Sequence, residues 1–290
     1  MGKKWNKISN YFFLLPAFLI YTSVVIGPSL YTIYLSFFKW NGVKPKVLVG
    51  LKNYINLFSK DKLFWLSLKN NLIWVVLTLV IIMALALAFA LLFNREFKGR
   101  AFFRSYFYFP YTLSSILVAI TWKKMYDPSI GILNESLRAL SLGDFTSTYT
   151  ANPNIALYCI FVAATWQGIG QPMILFLTGL QTVPKEIVEA AKIDGAGPIS
   201  SFFLITIPMM KETFFIVIAT LIISSMKVYD IVLGITGGGP ANSTHTLATY
   251  MRAQSFLYTH YGIGAAIAVV MFLIMLLIIV PYIYFLARTD

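Results

Sequence analysis

The chain has 290 residues, of which 58% are hydrophobic and 12% charged, and its mean hydropathy is +0.75. So little polar surface cannot cover a soluble globule of this size, which predicts an integral membrane protein. The net charge of +12 does not indicate nucleic-acid binding, because the basic residues flank apolar segments without a recognition motif and suit anionic lipid headgroups. The lone cysteine, Cys159, excludes an intramolecular disulfide and a cysteine-based metal cluster.

Six segments are long and apolar enough to cross a bilayer, which requires about 20 residues of helix. We therefore predict an all-α, polytopic membrane protein in which residues 1–290 form a single transmembrane domain. The first segment is much longer than the apolar region of a signal peptide, so we interpret it as an uncleaved span. The predicted spans are approximately residues 11–38, 72–93, 106–122, 155–180, 213–233 and 263–286.

The first connector, between the first and second spans, is strongly basic. It carries Lys39, Lys44, Lys46, Lys52, Lys60, Lys62 and Lys69. Six spans place both termini on one side of the membrane, and 11 of the 23 Lys and Arg residues then share that side while 12 lie opposite. Counting basic residues therefore does not fix the orientation. Within this connector, Leu51, Tyr54, Ile55 and Phe58 follow a helical spacing that predicts a short interfacial helix.

The fourth span contains Trp166, Gln167, Gly168 and Gln171, which are unusual at mid-membrane depth. Unpaired polar groups in hydrocarbon are costly, so the amides either bond to neighbouring spans or line a wet cavity. Amides and an aromatic ring are also the groups that a sugar site uses, because hydroxyls need donors and acceptors and the sugar ring stacks on an aromatic face. Both interpretations remain open from the sequence.

The fifth span contains two charged residues, Lys227 and Asp230, at a spacing of one helical turn. A single charge at the centre of a span costs about 2.5–3.5 kcal/mol on insertion scales, so both should face protein or water. They form either a structural ion pair or part of a substrate path.

The connector at residues 182–208, between the fourth and fifth spans, predicts two short helices. Thr182 and Pro184 favour a helix start, because a threonine hydroxyl can cap free amides and proline suits a first turn. Gly195 suits the left-handed position that ends a helix, and Pro198 restarts a second one. On composition alone this is an ordinary helix–turn–helix joining two spans.

One face of the first of these two helices is predicted to be apolar. Ile187, Ala190 and Ala191 follow the i, i+3, i+4 spacing of a helical strip. The small alanine side chains would let another surface approach closely.

The same connector resembles the EAA loop of binding-protein-dependent ABC importer permeases, in the carbohydrate-uptake class. It has Glu-Ala-Ala at 189–191, Gly195, and the Ile-x-hydrophobic-Pro pattern that ends at Pro208. The resemblance implies a cytoplasmic coupling helix that docks on a separate ATP-binding subunit, cytoplasmic termini and a location in the plasma membrane. The coupling residues it implies are Glu189, Ala190, Ala191, Asp194, Gly195 and Pro208.

The resemblance to the maltose permease subunit of that class also implies a substrate path. Counting from Pro184 and from the Gly-Gly-Pro sequence at 238–240, the sugar-contacting positions fall near Gln167, Gly168, Gln171, Met226 and Lys227. The implied partners are a second homologous permease, two ATP-binding subunits, an extracellular solute-binding protein, membrane lipid and the carbohydrate itself. Extra amino-terminal spans and a large external domain of the maltose relative have no counterpart here.

The chain is predicted to be a transport subunit and not an enzyme. It has no phosphate-binding Gly-x-x-x-x-Gly-Lys-Ser/Thr loop, so ATP hydrolysis must reside in another subunit. His245 and His260 have no metal-ligand spacing, and we expect no cofactor, no metal and no catalytic residue. The alternative is a self-contained ion-coupled secondary transporter with Lys227 and Asp230 as a relay. A membrane-embedded enzyme is a weaker third interpretation.

Overall fold

The computed structural model describes residues 13–143 and 147–287, and it confirms the predicted helical fold. In these residues two short strands, β1 (Phe38–Lys39) and β2 (Val47–Leu48), form an antiparallel pair with Phe38 opposite Leu48. Residues 11 and 12 of the predicted first span lie outside the described residues, as do Lys3, Lys4, Lys7 and Arg288.

The helices follow one another along the chain with short connections. In chain order they are α1 (Phe13–Leu35), α2 (Lys52–Ser59), α3 (Lys62–Asn94), α4 (Arg100–Thr112), α5 (Ser115–Met125), α6 (Ile132–Ala139), α7 (Ala156–Gly168), α8 (Gly170–Thr182), α9 (Lys185–Ile193), α10 (Pro198–Met209), α11 (Lys211–Met226), α12 (Asp230–Ile235), α13 (Leu247–Arg252) and α14 (Tyr261–Ala287).

Five of the six predicted spans correspond to helices that can cross a membrane by length and composition. Single helices account for the first, second and sixth, and α11 with α12 accounts for the fifth as one 25-residue stretch, Lys211–Ile235. The fourth corresponds to α7 and α8, which are bent by 45° relative to each other and make a fifth crossing if they count as one span.

The predicted third span, residues 106–122, is divided between α4 and α5. Leu113 and Ser114 are extended, with ψ of 147° and 129°, and separate the two helices. Pro110 lies inside the last turn of α4, and Arg100 and Arg104 occupy its first two turns. Neither helix is among the candidate spans in the described part of the chain, so the count of six stays a prediction.

The chain forms two compact units. Among the described residues, the first contains residues 13–61 together with Met251–Ile274, and the second contains Lys62–Tyr250 together with residues 275–287. In the second unit, α3 packs against α8, and Ala86 and Ala90 of α3, one turn apart, are both fully buried. Small side chains of this kind let two helices approach closely. Met173 and Phe176 of α8 complete this core.

In the first unit, the predicted short helix is present as α2, and most of its apolar stripe lies on the outside of the protein. Leu51, Ile55 and Phe58 are exposed, whereas Asn53 and Leu57 are buried. The Asn53 amide donates to the carbonyls of Ser36 and Phe38, at 2.7 and 3.0 Å. Burying Asn53 thus satisfies backbone acceptors beyond the end of α1, and leaves the apolar stripe outward.

Candidate functional site

The connector at residues 182–208 folds as the two predicted helices, α9 and α10, joined by a tight turn. Gly195 has φ of +83°, the left-handed conformation predicted for it. The amide of Gly195 bonds to the carbonyl of Lys192 at 3.1 Å, and the amide of Ala196 bonds to that of Ala191 at 2.9 Å. These two bonds complete a Schellman motif, which satisfies the last free carbonyls of α9. The turn is therefore rigid.

The start of α9 differs from the prediction for Thr182. Its hydroxyl donates to the carbonyl of Gly179 at 2.8 Å, so it bonds within the last turn of α8 and caps no amide of α9. Pro184 occupies the N-cap position, with no side-chain hydrogen bond. Val183 is extended, as expected before a proline. Glu186 lies in the first turn, where the helix dipole favours a negative charge.

The outer surface of this connector is more apolar than the sequence pattern suggested. Of the predicted strip, Ala191 is buried, whereas Ile187 and Ala190 are exposed. Ile193 is 87% exposed and Ile199 is 76% exposed. Exposed apolar side chains on two consecutive short helices are typical of a protein-binding surface. Ile193 and Ile199 are candidate docking residues that the motif did not reveal.

Behind α9 lies a recess of about 830 Å³. Glu189 and Lys192 of α9 line it together with Arg100 and Arg104 of α4. Arg104 Nη2 donates to the carbonyl of Phe93 at 2.6 Å and so completes the last turn of α3. The recess brings the end of α3, the start of α4 and the α9–α10 connector together on one side of the second unit.

The residues predicted for a substrate path mostly converge on a second cavity, of about 260 Å³. Gln167, Gly168, Gln171, Lys227 and Asp230 all line it. The aromatic and hydroxyl side chains that share this cavity were not predicted; they are Trp74, Thr78, Tyr111, Ser115, Ser224, Ser225 and Tyr229. The wall therefore combines amides, hydroxyls, one cation, one carboxylate and three aromatic rings.

Two predicted path residues do not line this cavity. Trp166 is 44% exposed, and its ring packs against Trp122 with 6.1 Å between centroids. Met226 is fully buried in the protein. Trp166 precedes Gln167 on a helix, and adjacent helical positions point in directions about 100° apart. The Trp166 ring packs against Trp122 instead, and Trp74, Tyr111 and Tyr229 supply the aromatic surface of the cavity.

The two glutamines have different roles. The Gln167 amide nitrogen donates to the carbonyl of Leu113 at 3.0 Å and contacts Ser115 Oγ at 3.2 Å. It thereby bridges the extended break between α4 and α5. The Gln171 side chain makes no hydrogen bond to any other described residue, although it lines the same cavity. Hydrogen bonding to a neighbouring segment thus describes Gln167, whereas an amide left free to face the cavity describes Gln171.

Lys227 and Asp230 are not on one helical turn, contrary to the sequence expectation. α11 ends at Met226, α12 begins at Asp230, and the two charged residues flank the break. Within the described residues they form no ion pair, and both side chains are exposed in this chain. Because of the break, Lys227 and Asp230 lie at the cavity wall as two separate charges and not as the ion pair considered from the sequence.

A buried polar cluster holds this break in place. The Asn71 amide nitrogen donates to the carbonyls of Ser225 and Met226 at 3.1 and 3.4 Å, and its oxygen accepts from the amide of Leu247 at 2.7 Å. The Thr246 hydroxyl donates to the carbonyl of Val228 at 2.9 Å. Asn71 and Thr246 therefore satisfy backbone groups that the interrupted helix leaves free.

The Gly-Gly-Pro loop belongs to the same cluster. Asn70 donates to the carbonyls of Ser243 and His245, at 2.8 and 2.9 Å. His245 Nδ1 lies 3.1 Å from the Thr249 hydroxyl, and burial lowers the pKa of this imidazole.

No group of three His, Cys, Asp or Glu residues within 13–143 and 147–287 could hold a metal ion.

This chain is similar to known membrane transport proteins over nearly its whole length. Residues 81–289 match the family described as "Binding-protein-dependent transport system inner membrane component". A probable ABC transporter permease protein of Pyrococcus horikoshii, PH1215, is 36% identical over 273 residues, which cover 94% of this chain and 93% of the relative. The multiple sugar-binding transport system permease protein MsmF of Streptococcus mutans is 30% identical, with 94% and 93% covered.

The fold also has a solved counterpart. A chain from the crystal structure of a bacterial ABC transporter that imports the acidic polysaccharide alginate superposes with a TM-score of 0.84. The superposition covers 99% of both chains, at 20% sequence identity.

Proposed function

Because this chain belongs to the family of binding-protein-dependent transport system inner membrane components, we propose that it is a permease subunit of an ATP-driven importer for a sugar or oligosaccharide. The chain itself is a transport subunit and not an enzyme. Its proposed partners are a second homologous permease, ATP-binding subunits, an extracellular solute-binding protein and the surrounding lipid. The proposal that the substrate is a sugar rests on relatives such as MsmF and on the chemistry of the cavity.

The observation that carries this proposal is the rigid α9–α10 connector with its exposed isoleucines. A helix closed by a Schellman motif at Gly195 is stiff enough to transmit a displacement. Ile193 and Ile199 give the connector an apolar surface whose exposure to water is unfavourable. A docked ATP-binding subunit would cover this surface, and Glu189, Ala190, Ala191, Asp194, Gly195 and Pro208 are the residues proposed to couple its closure to the spans.

The proposed topology is a single membrane domain with six spans, in which α4 and α5 together form a broken third span. Both termini and the 182–208 connector lie in the cytoplasm, and the membrane is the plasma membrane. The recess behind α9 supports this arrangement, because it joins Arg100 and Arg104 to Lys185 and Lys192. Basic residues on these two connectors are what the positive-inside rule expects of cytoplasmic loops, although the first connector, which this topology places outside, is also strongly basic.

The proposed substrate path passes through the cavity between α3, α7, α8 and the α11–α12 break. Gln171, Ser224 and Tyr229 offer donors and acceptors for hydroxyl groups, and Trp74 and Tyr111 offer ring faces for a sugar. The cavity of about 260 Å³ is smaller than the roughly 300–1,000 Å³ of sites that enclose drug-sized ligands. The path must therefore widen during transport, and ATP would favour one of the two conformations of the importer.

Reconstitution into proteoliposomes tests this proposal against ion-coupled transport. This chain is combined with its second permease, the ATP-binding subunits and the sugar-loaded binding protein, and sugar uptake is measured with either ATP or an imposed proton gradient. Uptake that requires ATP and is unchanged by the proton gradient supports the proposal. Uptake by this chain alone, driven by the gradient, contradicts it.

A further inference from the structure

The first unit carries a basic surface that none of the coupling and transport steps above uses. From residue 13 to Asp61 and in Met251–Ile274, Asp61 is the one acidic residue. No carboxylate in the described part of the chain forms an ion pair with Lys39, Lys44 or Lys52. The basic residues of these segments are Lys39, Lys44, Lys46, Lys52, Lys60 and Arg252. Like charges gathered on one surface repel one another, so their grouping needs a reason.

A cavity of about 280 Å³ lies within this surface. Lys39 of β1, Lys52 and Asn56 of α2, Trp40 and His260 line it. Its two cations and its amide can donate hydrogen bonds to an anion, and a carboxylate can accept several such bonds. His260 Nδ1 lies 3.0 Å from the amide oxygen of Gln254, and Nε2 takes no part in this contact.

The walls of this cavity are held by backbone contacts and are therefore preformed. The amide of Tyr261 donates to the carbonyl of Trp40 at 3.1 Å, which attaches the start of α14 to the chain after β1. At Gly262 a Cβ atom would lie 1.8 Å from the carbonyl oxygen of Phe38, so this approach requires glycine. Asn53 secures α2 to the same carbonyl. A preformed site loses little conformational freedom when a partner binds.

The basic surface extends beyond the cavity, which favours a large partner over a small ion. Lys46 Nζ bonds to the Tyr31 hydroxyl at 2.8 Å and lies 5.3 Å from the centre of the Trp40 ring. The hydrogen bond to Tyr31 raises the pKa of the Lys46 ammonium, so this group stays charged. Lys44 and Lys60 are exposed on the same unit.

This inference rests on the proposed topology, which puts the first connector outside the cell. Lysines there oppose the positive-inside rule, so an external acidic partner offers a reason for their presence. We propose that the cavity between Lys39, Lys52 and His260 is a socket for an acidic side chain on the solute-binding protein. The surrounding lysines attract the acidic surface of that protein and speed its encounter with the importer.

The test compares two charge reversals on the same unit. The full importer is placed in nanodiscs of zwitterionic lipid, and the Kd of its sugar-loaded solute-binding protein is measured at low and high salt. The double variant K39E/K52E should raise the Kd about tenfold or more, which corresponds to one lost charge pair or more. K44E makes the same type of change at an exposed lysine outside the cavity and should raise the Kd by much less.

Rescue provides the sharper readout. Replacing one acidic residue of the binding protein by lysine should restore tight binding to the K39E/K52E importer and weaken binding to the native one. If K44E and K39E/K52E raised the Kd equally, the socket would be overturned, because the lysines would then attract the binding protein only through their general positive charge. A defect seen with anionic lipid and absent in zwitterionic nanodiscs would assign the surface to lipid and also overturn it. Uptake that needs no binding protein would instead overturn the proposed function itself.

Discussion

The side-chain amide of Asn71 donates a 3.1 Å hydrogen bond to the backbone carbonyl of Ser225, 154 residues further along the chain. Asn71 is fully buried on α3, and Ser225 lies one residue before the end of α11. The same amide accepts from Leu247 at 2.7 Å, so one side chain fastens both the helix break and the segment after the Gly-Gly-Pro loop. The break that presents Lys227 and Asp230 to the cavity is thus stabilised by a dedicated residue.

Replacing Asn71 by leucine should destabilise this break. The substitution leaves two carbonyls and one amide without their buried partner, and each unsatisfied group costs about 1–3 kcal/mol. We expect a lower melting temperature in detergent and reduced uptake. L72A, on the neighbouring and half-exposed position, is the control and should stay close to the native protein. Equal melting temperatures for N71L and the native protein would contradict the role given to Asn71.

Replacing Gly195 by valine should uncouple ATP hydrolysis from transport. A residue with a Cβ atom pays about 1–2 kcal/mol in the left-handed conformation, and Gly195 has φ of +83°. Uptake and sugar-stimulated ATP hydrolysis should fall, while the protein still inserts into the membrane. Gly197 offers a matched control, because its φ is −69° and no atom of the described residues lies within 4 Å of the position that a Cβ would take there. G197V with a defect as large as that of G195V would show that the backbone conformation is not the cause.

The two glutamines of the bent fourth span should separate stability from transport. Q167L removes the bridge to Leu113 and Ser115 and should lower the melting temperature. Q171L removes a cavity-lining amide that bonds to no other described residue, so it should change the KM or the maximal rate of uptake with little loss of stability. A reversed pattern, with Q171L unstable and Q167L impaired only in transport, would contradict the geometry.

Lys227 and Asp230 should act independently. They flank the break between α11 and α12 and form no ion pair within the described residues. The effects of K227M and D230N on uptake should therefore add in a double-mutant cycle, with a coupling energy below about 0.5 kcal/mol. A coupling well above this value would mean that the two charges pair during the transport cycle. In that case the structural ion pair considered from the sequence would apply to another state.

The helical fold and most spans could be predicted because long apolar segments carry a strong signal. The break within the predicted third span could not be predicted, since the extended Leu113–Ser114 segment depends on the tertiary hydrogen bond from Gln167 to Leu113. Likewise the predicted second span began at residue 72, although α3 begins at Lys62. The polar start of α3 resembles a loop until its asparagines are seen to bond to distant carbonyls.

The candidate site was predictable where local geometry governs it. The left-handed Gly195 follows from a short-range pattern, and its φ agrees with the prediction. The interruption between Lys227 and Asp230 was not predictable, because Asn71 and Thr246 stabilise it from far along the chain. Two adjacent asparagines, Asn70 and Asn71, at the head of an apolar helix were the one sequence signal for this cluster. Trp166 lies beside Gln167 on α7 but does not line the cavity, which the order of residues alone did not indicate.

Every coupling step proposed above requires that the α9–α10 connector bind an ATP-binding subunit in the cytoplasm, and site-specific crosslinking measures this contact. A cysteine is introduced at Ile193, the most exposed isoleucine of α9, and a bifunctional crosslinker is applied to the assembled importer. We expect an adduct between this chain and the ATP-binding subunit, whose yield changes with ATP. An Ile193→Cys variant that forms no such adduct, yet reacts with a membrane-impermeant maleimide added outside intact cells, would show that the connector does not face the ATP-binding subunit.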